Sequence, residues 1–379
     1  MKRRVRVEID LSALVRNYGR ICGHVAPLDV LCVLKANAYA LGVGEYARAL
    51  FAAGCRNFGV AEPYEAIELC GILEGRDASV QILSSVLPDE IEPMVALGVR
   101  LPVTDLEEAR LLGAAAVRAG KCAKVHLKID SGMGRLGILA KDAAATALAV
   151  SKIPGIEIEG VFSHCPVAYD PHDPFTKKQI ALFKNVVAAI RTAGVNPPKI
   201  HMAASDAINN FPETAQPPFT MVRSGINLHG SFDPNGLRAL ELEPVLALKT
   251  RIAQVRSLPA GTTLGYGRTW CLAEDSRIAT ICAGYADGLP LALTNRGTVL
   301  IHGKRCKIVG RISMDYATVD VSDVPDATAG DEVTCLGSEG GESISPDDWA
   351  AVKGTHAYDI ICSLGSRVER VFVNKPRSF

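Results

Sequence analysis

Val30-Leu31-Cys32-Val33-Leu34-Lys35-Ala36-Asn37-Ala38-Tyr39 is a short apolar run that ends on a lysine, with a phenol four residues further on. Gly42 and Gly44 then break the chain ahead of an amphipathic segment, residues 43–53. This is a strand, a turn and a helix in about two dozen residues, and the same unit recurs downstream. Taken alone, the lysine has two readings. The commoner is a strand-end side chain whose stem covers apolar surface and whose ammonium reaches water. The other is an amine held as a nucleophile toward a carbonyl.

Working outward, the apolar runs continue with Asn57-Phe58-Gly59-Val60, Val80-Gln81-Ile82-Leu83, Arg100-Leu101-Pro102-Val103 and Ala123-Lys124-Val125-His126-Leu127-Lys128-Ile129. Glu159-Gly160-Val161-Phe162, Lys199-Ile200-His201-Met202 and Thr220-Met221-Val222 follow. Segments with helical periodicity lie between them, at residues 62–73, 89–97, 106–119, 140–151 and 175–193. Pro63 fits a first helical turn, and Thr104 with Glu107 has the spacing of a capping box. Eight strand-like runs, most followed by a helix, predict an α/β fold with an eight-stranded parallel β/α barrel over residues 1–235. Pro102 weakens one of those strands, because it has no amide hydrogen to give a ladder.

Near residue 236, after Asp233-Pro234-Asn235-Gly236, the pattern changes. Helical segments thin out and strand-like runs dominate, at residues 247–256, 276–281, 299–302, 305–309, 317–321 and 331–336. Turn sequences separate them: Asn295-Arg296-Gly297, His302-Gly303-Lys304 and Glu339-Gly340-Gly341. Residues 236–379 therefore read as a mostly β C-terminal domain, with one late helix at 346–352.

The 379 residues carry no formal net charge and are 48% hydrophobic, so the chain can fill large cores and has no electrostatic footprint for nucleic acid. The basic start Met1-Lys2-Arg3-Arg4 runs into the strand-like Val5-Arg6-Val7-Glu8-Ile9-Asp10 rather than a signal-peptide core, and no apolar run approaches a membrane span. Eleven scattered cysteines without a C-x-x-C pair read as reduced, mostly core thiols of a cytoplasmic protein. Cys165 beside His164 is set aside as a nucleophilic pair, since neighbours on a strand face opposite ways. No metal-ligand spacing and no Walker-type motif is present.

Sites in β/α barrels sit where strands end. Those ends carry Lys35 and Tyr39, then Asp130-Ser131-Gly132-Met133-Gly134-Arg135, Ser163-His164, Ala204-Ser205 and Arg223-Ser224-Gly225-Ile226. Cations beside a lysine favour its neutral, nucleophilic form. Ser205 and the backbone at Gly225 suit a phosphate. Each group also has a plain structural reading: Arg135 paired with Asp130, His164 as a satisfied core histidine, Ser205 as a helix cap, Gly225 as a tight turn. In the β domain, Gly265-Tyr266-Gly267 is either a hairpin tyrosine or a phenol freed by its glycines. Gly284-Tyr285-Ala286-Asp287-Gly288 and Ser313-Met314-Asp315 put polar groups in turns.

These blocks, in this order and nearly end to end, resemble the alanine racemase family of pyridoxal 5'-phosphate enzymes. The carriers are Val33–Tyr39, His126 through Gly137, Ser163-His164, Val222 through Ile226, Gly265-Tyr266-Gly267, Gly284 through Gly288, Gly310 through Asp315, and Tyr358. The resemblance implies that Lys35 forms the Schiff base with pyridoxal 5'-phosphate. It implies that Tyr39, Ser205, Gly225, Ile226 and Tyr358 hold the phosphate. Arg223 then faces the pyridine nitrogen with His164 as its neighbour, and Arg135 touches the phenolic oxygen and the substrate carboxylate. Lys128 matches a lysine that is often carbamylated in the family. Tyr266, Met314 and Tyr285 come from a second subunit in a head-to-tail homodimer.

L- and D-alanine are then the substrates, in cell-wall precursor supply or in amino-acid catabolism. Lys35 and Tyr266 are the acid/base pair on opposite faces. An ordinary phenol titrates near 10, so Tyr266 needs cationic help. The bulk of Tyr358 favours alanine over the alternative, a serine or broad-specificity racemase. Departures from the family pattern are Ala40-Leu41-Gly42 after the lysine block, Cys165-Pro166 after His164, Ala204 before Ser205, and His229. A decarboxylase of related layout would carry a glycine-rich phosphate loop and a late Cys-Asp block, and neither is found. A carrier protein of the cofactor would lack the β domain.

Overall fold

The computed structural model describes residues 3–233 and 235–375. Among the described residues the chain forms two compact units: residues 14–38 and 43–243 make one, and residues 3–13, 39–42 and 244–375 make the other.

The first unit is the parallel barrel. Its strands are β2 (Asp29–Val33), β3 (Asn57–Val60), β4 (Ser79–Ile82), β5 (Leu101–Val103), β6 (Ala123–Asp130), β8 (Ile156–Phe162), β9 (Lys199–His201) and β10 (Met221–Ser224). A two-residue strand, β7 (Ile138–Leu139), pairs with the end of β6. The order β4-β3-β2-β10-β9-β8-β6-β5 is parallel throughout. The ring closes between β4 and β5, where Arg100 N–H meets Val80 O at 2.9 Å and Ile82 N–H meets Arg100 O at 3.0 Å. Pro102 stays in register opposite His126 in β5, which has only three residues.

Helix starts follow local chemistry. Pro63 opens its helix, with Glu62 and Glu65 forming a capping box. The capping box expected at Thr104 and Glu107 is displaced by one residue. Asp105 is the N-cap, accepting from Glu108 N–H at 2.7 Å, and the Glu108 carboxylate takes the Thr104 N–H and hydroxyl. A helix absent from the sequence reading, Leu11–Val25, buries Leu11, Leu14, Tyr18, Ile21 and Val25 at spacings of three and four.

The second unit is mostly β. Its main sheet runs β16 (Lys304–Lys307), β15 (Thr298–Ile301), β18 (Glu332–Glu339), β11 (Leu246–Leu258), β1 (Arg6–Asp10) and β20 (Glu369–Val373). Off this path lie β14 (Ser276–Ile281), β17 (Ala317–Asp320) and β19 (Glu342–Ile344), while β12 (Thr263–Leu264) and β13 (Trp270–Cys271) form a separate hairpin. The expected division, 1–235 and 236–379, differs from this in a specific way. β1 pairs antiparallel with β11 and parallel with β20, so the first strand belongs to the β unit. Its alternating burial, with Val7 and Ile9 fully enclosed, needs a sheet covered on one face. Beyond the expected late helix, Pro346–Lys353, a second one spans Ala357–Cys362.

Candidate active site

Lys35 is the second residue after β2 and starts an unusual turn. Ala36, Asn37, Ala38, Tyr39 and Ala40 all have φ between 50° and 65°, a left-handed helical turn built without glycine. Each such residue costs roughly 1–2 kcal/mol relative to the right-handed form. Short side chains keep that cost low, and specific contacts oppose it. Ala36 N–H reaches the Glu65 carboxylate at 2.5 Å, Ala38 N–H reaches Leu34 O at 2.9 Å, and Asn37 Oδ1 accepts from Val43 N–H at 2.8 Å. Arg370 donates to Ala40 O at 2.9 Å. Lys35 is therefore exposed on an over-determined backbone at a strand end.

Around the barrel's strand ends the side chains are cationic. Arg223, 5% exposed, donates to Ser163 O at 2.7 Å, Met202 O at 2.8 Å and His201 Nδ1 at 2.8 Å, with His164 Nδ1 at 3.4 Å. Burial lowers its guanidinium to about 10. Burial, with the charges of Arg223, Arg135, Lys35 and Lys128, pushes His164 down to about 3, so it is a neutral hydrogen-bonding ring. Lys128, 6% exposed, donates to Leu83 O at 2.8 Å and Ser84 O at 3.3 Å and lies 5.5 Å over the Phe162 ring. Burial, then Arg135 and Arg223, lowers its ammonium to about 8. The Asp130 carboxylate accepts the N–H groups of Gly132, Met133 and Gly134 and so shapes the loop that carries exposed Arg135, instead of pairing with it. Cys165 is mostly buried, which raises its thiol to about 12; a thiol held protonated there is no nucleophile.

Ser205 is the first residue of a short helix, Ser205–Asn210, and its hydroxyl accepts from Gly225 N–H at 3.1 Å. Gly225 precedes a 3-10 turn, Ile226–His229. The starts of two helical segments thus meet, and Asn209 ties them together by donating to Ser205 O at 2.8 Å and Asn227 Oδ1 at 3.0 Å.

The remaining expected residues lie in the β unit. Tyr39 and Tyr358 have ring centroids 5.9 Å apart, and Tyr358 sits on the helix Ala357–Cys362. Tyr266 is 73% exposed in the turn between β12 and β13, between Gly265 and Gly267, both at positive φ. A Cβ at Gly265 would stand 2.8 Å from Arg311 N, so glycine lets the turn lie against the Arg311 backbone. Gly265, Tyr266, Arg311, Ser313 and Tyr316 line an open cavity of about 380 Å³. Tyr285 and Met314 are exposed neighbours, joined by Tyr285 N–H to Ser313 O at 3.0 Å and Ala286 N–H to Met314 O at 3.1 Å.

Two positioning arginines escaped the sequence reading. Arg367 clamps buried Asp287 at 2.7 and 2.8 Å and reaches Asp315 at 2.7 Å, which fixes the Tyr285 and Met314 turns to each other. Arg370 anchors the left-handed turn. Their only sequence signal is arginine in a strand-like stretch. Among the described residues no group of three or more His, Cys, Asp or Glu side chains is arranged to hold a metal, and no helix is long and apolar enough to cross a membrane.

Residues 9–233 match the family model described as alanine racemase, N-terminal domain, and residues 245–372 match alanine racemase, C-terminal domain. The chain is 36% identical to an alanine racemase of Caldanaerobacter subterraneus, over all of this chain and 97% of that one. It is equally identical, 36%, to that of Cutibacterium acnes, over 97% of each. Among solved structures, the alanine racemase of Streptomyces lavendulae superposes with a TM-score of 0.92 at 32% identity, covering 98% of both chains. That of Bartonella henselae, which carries covalently bound pyridoxal phosphate, gives 0.88 at 31% identity and covers 98% of this chain and 100% of that one.

Proposed function

The chain belongs to the alanine racemase family, and from that premise we propose that Lys35 and Tyr266 are the two acid/base groups by which it interconverts L- and D-alanine. The cofactor is pyridoxal 5'-phosphate, and the residues present suit it. An amine at a strand end can condense with the aldehyde. The paired starts at Ser205 and Gly225–Ile226 offer a hydroxyl and backbone N–H groups to a phosphate. Buried Arg223 offers a fixed donor to a pyridine nitrogen. The cofactor supplies the electron sink that makes the α-proton of alanine acidic.

The chain's own residues then have separate tasks. Lys35 holds the cofactor and moves a proton on one face of the reacting carbon. Tyr266 moves a proton on the other face, because inversion needs removal and return from opposite sides. Ser205, Gly225, Ile226, Tyr39 and Tyr358 bind the phosphate. Arg223 donates to the pyridine nitrogen and, as a cation, disfavours its protonation. Neutral His164 accepts from Arg223 and adds no charge. Arg135 binds the carboxylate of alanine, and Lys128, as a carbamate, orients Arg135. A Lys128 amine titrating near 8 is available in its neutral, carbon dioxide-reactive form close to neutrality.

Tyr266, Tyr285 and Met314 are proposed to act across a head-to-tail homodimer. Their exposure on one unit, together with Tyr316, supports a face that another copy covers. A cytoplasmic setting fits cysteines that are all free thiols.

The observation that carries the reading is Lys35 at a strand end beside Lys128, Arg135, Arg223 and a neutral His164. The test is deuterium exchange at Cα of L-alanine in D₂O with added cofactor. Exchange with inversion is expected, with loss of both in Lys35→Ala. In Tyr266→Phe, racemisation should fall by about 10²–10⁴-fold while one enantiomer still exchanges without inverting. Full racemisation by Tyr266→Phe would remove the two-group assignment.

A further inference from the structure

A line of polar side chains runs through the barrel interior beneath Arg223. Arg223 Nη1 lies 2.8 Å from His201 Nδ1, His201 Nε2 lies 3.0 Å from His126 Nδ1, and His126 Nε2 lies 3.3 Å from a Glu159 oxygen. Glu159 in turn accepts from Arg100 Nε at 3.0 Å and has Lys124 Nζ at 3.8 Å. His126 and His201 are enclosed, while Glu159, Arg100 and Lys124 are progressively more exposed, so the line ends at the opposite mouth of the barrel.

The proton positions follow from one fixed end. Arginine can only donate, so His201 Nδ1 accepts. A neutral His201 then carries its hydrogen on Nε2 and donates to His126 Nδ1. His126 carries its hydrogen on Nε2 and donates to the Glu159 carboxylate. Each donor meets one acceptor, in one direction only. Protonating either ring would set two N–H groups against each other. Burial favours the neutral form of both, and Arg223 adds to this at His201. Burial works to raise Glu159, but His126 and Arg100 hold it at about 2.

Two further features show a built arrangement. A Cβ at Gly160 would stand 2.3 Å from His126 Nδ1, so only glycine leaves room for the two rings to meet. Phe162 stacks on His201 at 5.0 Å with 4° between the planes and fixes the second ring. Meanwhile the hydrogen-bond partners of Arg223 are all neutral: three carbonyls and two imidazole nitrogens. A buried guanidinium with no carboxylate in contact calls for a counter-charge elsewhere.

We propose that Glu159, acting through His126 and His201, positions Arg223 and balances its charge from the far mouth of the barrel. The aligned rings present lone pairs toward Arg223 and protons toward Glu159, so the carboxylate's field is carried along the chain. These are positioning residues, and the functional half of the proposal rests on Arg223 facing the pyridine nitrogen.

The test labels the histidines of the holoenzyme with ¹⁵N and reads each ring nitrogen by two-bond proton–nitrogen correlation at neutral pH. Both rings should be neutral with hydrogen on Nε2. In Glu159→Gln, which keeps an acceptor and removes the charge, the His201 Nδ1 signal should move although His126 stands between. An imidazolium at either ring, an Nδ1–H His201, or a perturbation that stops at His126 would overturn the relay. For function, His126→Leu should lower kcat roughly fivefold or more, leave KM for alanine unchanged, and raise the share of turnovers ending in transamination. An unaltered kcat and product ratio in both variants would overturn the coupling. If instead Arg223→Glu alone leaves the product ratio unaltered while the relay signals persist, the failure lies in the pyridine assignment.

Discussion

Arg370 reaches the carbonyl of Ala40 at 2.9 Å, at the end of the left-handed turn that Lys35 begins. Its other nitrogens bind the carbonyls of Leu364, Gly365 and Val368, so one half-buried guanidinium gathers four main-chain acceptors. A strained segment persists only when its surroundings hold it. Arg370→Ala should therefore cost about 2 kcal/mol, as hydrogen bonds from a charged donor are lost. Ala36→Gly should act in the opposite sense. Ala36 is exposed at φ 52°, so glycine relieves the left-handed penalty at the expense of extra chain entropy. A net gain of about 0.5–1 kcal/mol in unfolding free energy is expected. Denaturant titration of both variants checks the signs, and a destabilised Ala36→Gly would contradict the strain.

In buffer stripped of carbon dioxide, where Lys128 is a free amine, it makes a pH prediction with a definite sign. Its folded value is about 8, below the ordinary 10.5, so the unfolded chain binds more protons between these values. Stability from this group therefore rises as pH climbs through that window, and its cost is largest below 8. Lys128→Met should flatten the difference in stability between neutral and alkaline pH relative to the parent chain, while racemisation falls. Parallel stability curves for the two proteins would show that Lys128 is not desolvated. Independently, ¹³C-bicarbonate should give a carbamate resonance that vanishes in Lys128→Met.

What the sequence made legible follows from periodicity. Strands β2 to β10 and their helices each repeat one pattern of apolar residues, so the barrel could be read run by run, and even Pro102 kept its strand. Two things were not legible. The pairing of Arg6–Asp10 with strands near residues 246 and 369 is non-local, and alternation marks a strand without naming its partner. The left-handed turn hid because alanine is the best right-handed helix former; contacts from Glu65, Val43 and Arg370 override that preference. At the strand ends, residue types pointed to Lys35, His164, Ser205 and Arg223 as candidates. The relay below Arg223 stayed invisible, since His126, Glu159 and His201 lie in three runs whose register only the structure supplies.

Arg367 and Asp287 carry the next prediction. The carboxylate is enclosed and the arginine about half exposed, so solvent screens part of the interaction. Arg367→Ala leaves a buried charge without its cation and should cost roughly 2–3 kcal/mol, below the ~3–5 kcal/mol for breaking a fully buried pair because solvent screens this one. It also frees the Met314 turn from the Tyr285 turn. If these turns meet a second copy of the chain, sedimentation should show a weaker dimer for Arg367→Ala than for the parent. Equal dimerisation would remove the clamp from the interface argument.

The place proposed for Arg223 at the pyridine nitrogen makes a prediction about the product ratio. In the proposed assignment, its cation would disfavour a proton on the pyridine nitrogen, which would weaken the electron sink and suppress the side reaction that leaves the amino group on the cofactor. Arg223→Glu reverses that charge. It also sets a carboxylate among the carbonyls of Ser163, His201 and Met202, so folding must be verified first by thermal melting. One unit of change in the nitrogen's proton affinity corresponds to a tenfold shift. Transamination relative to racemisation should therefore rise roughly tenfold or more in Arg223→Glu, followed as pyruvate formed per D-alanine formed. Arg223→Lys keeps the charge and loses the planar fork. It should hold the product ratio low while slowing turnover, which separates the charge of Arg223 from its geometry. A ratio that rises equally in both variants would assign the effect to position alone.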